Sequence, residues 1–206
     1  MKARTAILYV AVAVPSLALA AVGVTHPMHL TDASAEYWRN LHIGTLVVFP
    51  LLGFAPWLVV RGHNLVLSWV VGVLAFLYGA LYTALDVLAG IGAGGLKLDH
   101  FGSATSTVFG LGNAIGTLGN FAFIAAVVIA AASALLWARS AAVPGALLVI
   151  VGSLLFYDNH IYFPVGVIGQ LCLAVGWVAI LLALRRPLRQ VSDTSAPPAT
   201  AGSVRA

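Results

Sequence analysis

Residues 65–89 read LVLSWVVGVLAFLYGALYTALDVLA, with a single charged side chain, Asp86, near the far end. A helix needs about 20 mostly apolar residues to cross the hydrocarbon of a bilayer, and this stretch exceeds that length. Five more apolar runs flank it, at roughly 5–24, 41–60, 108–137, 142–157 and 164–184. The whole chain has the same character. Hydrophobic residues make up 61 %, charged residues only 8 %, and mean hydropathy is +1.02. Soluble domains carry about 25 % charged residues, and no single water-facing core of this size hides so much apolar surface. The expected fold is therefore all-α, a polytopic bundle of six transmembrane helices over residues 1–186. The Pro-, Ser- and Thr-rich segment 187–206 is expected to be a disordered cytoplasmic tail.

Threading the runs in order sorts the charges. With the N-terminus in the cytoplasm, Lys2, Arg4, Arg61, Arg139, Arg185, Arg186, Arg189 and Arg205 fall inside, and only Arg39 and Lys97 outside. Such a positive-inside bias assigns both termini to the cytoplasm of an inner membrane. The net charge of +4 follows from those helix-end arginines, so it gives no reason to expect nucleic acid as a partner. The expected partners are the lipid bilayer and other membrane subunits. Lys2 and Arg4, an apolar run and Ala18-Leu19-Ala20 also fit a cleavable secretory signal; cleavage would leave five spans in the same orientation. The lone cysteine, Cys172, permits neither an intramolecular disulfide nor a cysteine metal site.

Local signals refine the helices. Thr31 is expected to cap a helix beginning at Asp32, with Glu36 favouring its positive end, Glu36 pairing with Arg39, and Trp38 at the membrane interface. Pro15 and Pro50 are expected to kink their spans. Gly112, Gly116 and Gly119 allow close packing of the fourth span.

Polar chemistry collects on the outer side. His26, His29, Asp32, Glu36, Asp99, His100, Asp158 and His160 lie in its three loops, with His42 and Asp86 within a turn or so of them. Outer loops are longer than inner ones here and gather polar residues without any function. Three separate loops, however, each carry both an imidazole and a carboxylate. Imidazole with carboxylate suits a first-row metal such as Zn, Cu, Fe or Mn. The expected metal ligands are His26, His29, His42, His100, Asp158 and His160, with Asp86 or Asp99 as catalytic base if the protein is an enzyme. Asn40-Leu-His42 leading an apolar helix that ends in Arg61-Gly62 resembles the haem-ligating helices of respiratory membrane subunits, which implies haem as the alternative group.

Within the spans, Tyr78, Tyr82 and Asp86 repeat every four residues and so share one helix face. Ser106, Gly110, Asn113, Thr117 and Asn120 form a similar stripe. An ionisable residue at lipid depth marks a cavity or a partner. A second expectation is therefore a small-solute transporter or binding subunit, with Tyr78, Tyr82, Asn113 and Asn120 around a pocket between spans three and four. A third is a structural or assembly subunit of a larger membrane complex.

Overall fold

The computed structural model describes residues 2–194, and these form an all-helical protein without strands. Its helices are α1 (Lys2–Gly23), α2 (Ala35–Thr45), α3 (Val48–Leu52), α4 (Phe54–Val60), α5 (Leu65–Leu85), α6 (Ala93–Leu98), α7 (Gly102–Ala138), α8 (Val143–Asn159) and α9 (Val165–Thr194). A π-helical stretch, Asp86–Gly92, joins α5 to α6, and a short 3₁₀ turn, Arg139–Ala142, joins α7 to α8. Four continuous helical stretches are long and apolar enough to cross a membrane, five when the bent run 35–60 is included. The longest of them, 102–159, reverses at Arg139, and α8 then packs back on α7. Residues 187–194, expected in the tail, continue α9; residues 195–206 lie outside the described residues.

Proline acts differently in its two helices. α1 runs unbroken through Pro15. The second apolar run breaks between Thr45 and Val48 and bends by 44°. Pro50 supplies the cause, since its ring displaces the carbonyl four residues earlier, that of Leu46, and its nitrogen has no hydrogen to offer it. The fourth run, by contrast, is one 37-residue helix despite its glycines.

The entry to α2 also departs from expectation. Thr31 does not cap a helix at Asp32. Instead its Oγ1 accepts from the Ser34 amide at 3.2 Å in a tight turn, and the helix starts at Ala35. Arg39 donates to Asn40 Oδ1 at 3.2 Å rather than pairing with Glu36. Lys97 pairs with Asp32 at 3.0 Å, tying α6 to this turn, and that ammonium holds the Asp32 carboxyl below its ordinary range.

Two glycine-lined seams bring helices close. Gly112, Gly116 and Gly119 of α7 face Ala89, Leu85 and Leu81, and Gly145, Gly152, Gly169 and Gly176 knit α8 to α9. The core between them is aromatic: Phe49, Tyr78, Tyr82, Phe123 and Phe156 are all buried. Large apolar side chains instead cover the outside; Trp69 is 69 % exposed and Phe76 72 %. An exterior of this kind matches a lipid solvent and not water.

Candidate metal centre

Three histidines from three segments meet at one end of the bundle. His26 sits in the turn after α1, His42 on α2, and His160 just past α8. Their ligand nitrogens all lie within 4.8 Å of one another. His26 and His42 are buried and His160 is half-buried. The rings of His42 and His160 are nearly parallel, 6.5 Å apart between centroids, and His26 stands edge-on to both.

Hydrogen bonds fix the tautomers. His42 Nδ1 lies 2.7 Å from the Trp38 carbonyl and His26 Nδ1 lies 2.8 Å from the Pro27 carbonyl. A carbonyl only accepts, so each Nδ1 carries the proton and each Nε2 keeps a free lone pair. His26 Nε2 is buried with no hydrogen-bond partner. His160 Nδ1 meets the Tyr82 hydroxyl at 2.6 Å. Tying down the second ring nitrogen in this way is how metal-binding histidines are oriented. Burial also holds the pKa of His26 below the usual imidazole value, and His160 well below it, with His26 and His42 adding to the effect at His160. Both imidazoles are therefore neutral, the form that binds metal. Burial pushes the Tyr162 phenol, whose ring packs against His26, up to about 12.

The backbone is shaped around this cluster. His160 has φ +49°, a conformation that non-glycine residues occupy at a cost of about 1–3 kcal/mol. Gly23 and Gly166 hold it from two sides. A side chain on Gly23 would strike the Ile161 carbonyl, and one on Gly166 would come within 2.6 Å of the His160 carbonyl. Gly90, in the π-helical stretch, lies flat against the His42 ring, where any Cβ would collide. Trp38 Nε1 donates to the Ala89 carbonyl at 3.1 Å and locks α2 to the same stretch.

Asp86 begins that stretch, 0 % exposed, with Oδ1 3.9 Å from His42 Nε2. Neither of its carboxylate oxygens has a hydrogen-bond partner among the described residues. A carboxylate so placed in a membrane protein is costly unless a cation, a water or a ligand meets it.

A cavity of about 480 Å³ adjoins the cluster, lined by His42, Tyr82, Asn113, Asn120, Asp158 and His160 among others. Asn113 and Asn120 thus sit on its wall. Tyr78 lies behind Tyr82, 5.2 Å between ring centroids, and does not line it. Asp158 is an exposed lining residue. His29, Asp99 and His100 are exposed and stand outside the three-histidine group. Trp38, expected at the lipid interface, is buried as a wall of the site. Gly90, Trp38 and Tyr162 also belong to the site, beyond the residues that the sequence marks for it. For Trp38 the signal was its position one turn before His42, where its carbonyl must face the ring. Gly90 and Tyr162 gave none.

Comparison with known protein families, with characterised proteins and with solved structures returns no match.

Proposed function

We propose that this chain is a six-span protein of the cytoplasmic membrane, both termini inside, which holds one first-row metal ion at its outer end and uses it for hydrolysis. The sixth span comes from reading 102–159 as the two helices α7 and α8, and the orientation from the arginine bias. His26, His42 and His160 are the ligands. The observation that carries this reading is the convergence of three oriented imidazoles from three segments, beside an unpartnered buried carboxylate. Three histidines with an open fourth position are a zinc-type catalytic set. Haem fits less well, because its iron takes one or two protein ligands and three imidazoles converge here.

Held by His26, His42 and His160, such an ion would supply a water of lowered pKa and polarise a carbonyl oxygen. Asp86, with Oδ1 3.9 Å from His42 Nε2, would be the base that accepts a proton and returns it to the leaving group. Tyr82 keeps His160 in its ligating orientation, and Trp38 does the same for His42.

Protein purified in detergent without chelators is expected to carry about one equivalent of metal. His26→Ala, His42→Ala and His160→Ala should each lose it, and His29→Ala and His100→Ala should keep it. Protein that neither retains metal nor takes up zinc on titration would end this reading. A solute-binding subunit is the second reading, favoured by the Asn113–Asn120 wall of the same cavity; it predicts ligand-dependent thermal stabilisation that the three histidine variants leave intact.

A further inference from the structure

Asn113, Thr117 and Asn120 stand one above another on α7, all on the cavity wall. Their exposure falls with depth: Asn113 is exposed, Thr117 half-buried, and Asn120 7 % exposed. The Thr117 hydroxyl donates to the Asn113 carbonyl at 2.9 Å, which leaves its oxygen free to accept. Asn120 Oδ1 is buried without a partner. Two amides and a hydroxyl offer both donors and acceptors and no charge.

The electrostatics of the cavity point the same way. Among the described residues no Lys or Arg lines it, and Asp158 does. The wall thus offers an anion no cationic side chain. A phosphate or carboxylate head would bring a negative charge with no counterpart.

The remaining wall is aromatic and leads to the lipid surface. Tyr157 lines the cavity and is itself partly outside it, stacked at 5.6 Å on Phe121 of α7, which is 53 % exposed. From the polar wall, this aromatic pair on α8 and α7 therefore leads to an apolar exterior.

We infer that the cavity binds an uncharged amphiphile. Its hydroxyl- or amide-bearing head is held by Asn113 and Asn120, and its chain leaves between α7 and α8 over Tyr157 and Phe121. This names the substrate class for the proposed hydrolytic site and rests on that reading for the reaction, though not for the head preference.

The test compares 1-O-oleyl glycerol, its 3-phosphate, and glycerol alone, on zinc-loaded protein in phosphatidylcholine nanodiscs. Binding is followed by tryptophan fluorescence, and metal content is measured on the same samples. The uncharged ether should bind saturably and at least about tenfold tighter than the phosphate, with glycerol silent. Asn113→Ala with Asn120→Ala should weaken it about tenfold, the size of one or two lost hydrogen bonds. Asn113→Arg, at an exposed position that does not threaten folding, should reverse the preference toward the phosphate. Equal or tighter binding of the phosphate, glycerol binding as well as the ether, or an Asn113→Arg variant with unchanged preference overturns the inference. Preference without metal overturns the metal reading alone; metal without preference overturns this inference alone.

Discussion

Replacing Gly90 with alanine probes the centre through a residue that ligates nothing. The added methyl would lie 2.8 Å from His42 Cβ and closer still to Cγ and Cδ2. Ordinary carbon–carbon contacts are about 3.5–4.0 Å, so the His42 ring must retreat by about 1 Å. Metal ligands hold their distances to within about 0.2 Å. One of three ligands is thus displaced, and zinc affinity should fall by at least about 10–100-fold, the loss typical when ligand orientation is spoiled. Stability should change less than affinity. Alanine gains about 0.5–1 kcal/mol over glycine within a helix, and overpacking costs about 1–3 kcal/mol. The net is a loss of zero to about 2.5 kcal/mol, or up to about 10 °C in Tm at about 2–4 °C per kcal/mol. Gly95→Ala is the control, since nothing lies within 4 Å of its added methyl; it should gain the propensity term and keep full zinc affinity. Competition of each variant with a fluorescent zinc chelator reads the outcome. Unchanged zinc affinity in Gly90→Ala would show that His42 is not a ligand.

Three further outcomes follow from the same geometry. Tyr82→Phe removes the 2.6 Å partner of His160 Nδ1 and should weaken zinc about 10–100-fold at a stability cost of about 1 kcal/mol; an unaltered zinc Kd would argue against the orienting role. Asp86→Asn should keep its metal and its fold but lose at least about 100-fold in turnover of a p-nitrophenyl ester, and undiminished turnover would remove Asp86 as the base. Acid should loosen the centre. His26 and His160 have pKa values below the ordinary 6.5 in the folded protein, so below that pH the unfolded chain binds more protons. Their contribution to stability is complete above pH 6.5 and declines as pH falls toward the folded values. Tm of the apo protein should drop on acidification below 6.5, and a His26→Asn, His160→Asn variant should show a shallower slope.

Much of the helical frame was legible because lipid imposes one rule on every residue it touches. Apolar length alone located the runs, and the ends fell within a few residues except where expected loops or tail turned helical, at 35–40, 90–98, 102–107 and 185–194. The first three extensions are polar or glycine-rich enough to look like loops, and packing of α6 against α2 and α7 makes them helices. The site was legible in composition and not in assembly. His26 and His29 are three residues apart and looked equivalent. The turn at Thr31–Ser34 holds the His29 carbonyl through the Ser34 hydroxyl at 3.0 Å and leaves its ring outside, and the ring of His26 packs on Trp38 and Tyr162. Asp99-His100 and Asp158-Asn-His160 likewise shared a pattern. Both histidines bend at positive φ, and only the second follows a helix that ends beside Tyr82, whose hydroxyl meets its ring. Such choices depend on contacts between segments distant in the chain, such as Tyr82 with His160 and His26 with Tyr162, which no local spacing encodes.

The π-helical turn from Asp86 to Gly92 packs one more residue into its rise than an α-helix would use. Rewinding that stretch into ordinary α-helix with every residue kept would align its hydrogen bonds better. It would also swing α6 by about 100° about its axis, carrying Gly94 away from the Arg39 backbone it now abuts and Lys97 away from Asp32. The rewound chain would still be greasy enough to insert, and α5 would still be of spanning length. What it would lose is the angular setting between Asp86 and the packing of α6 on α2, so a better-bonded helix would make a poorer receptacle.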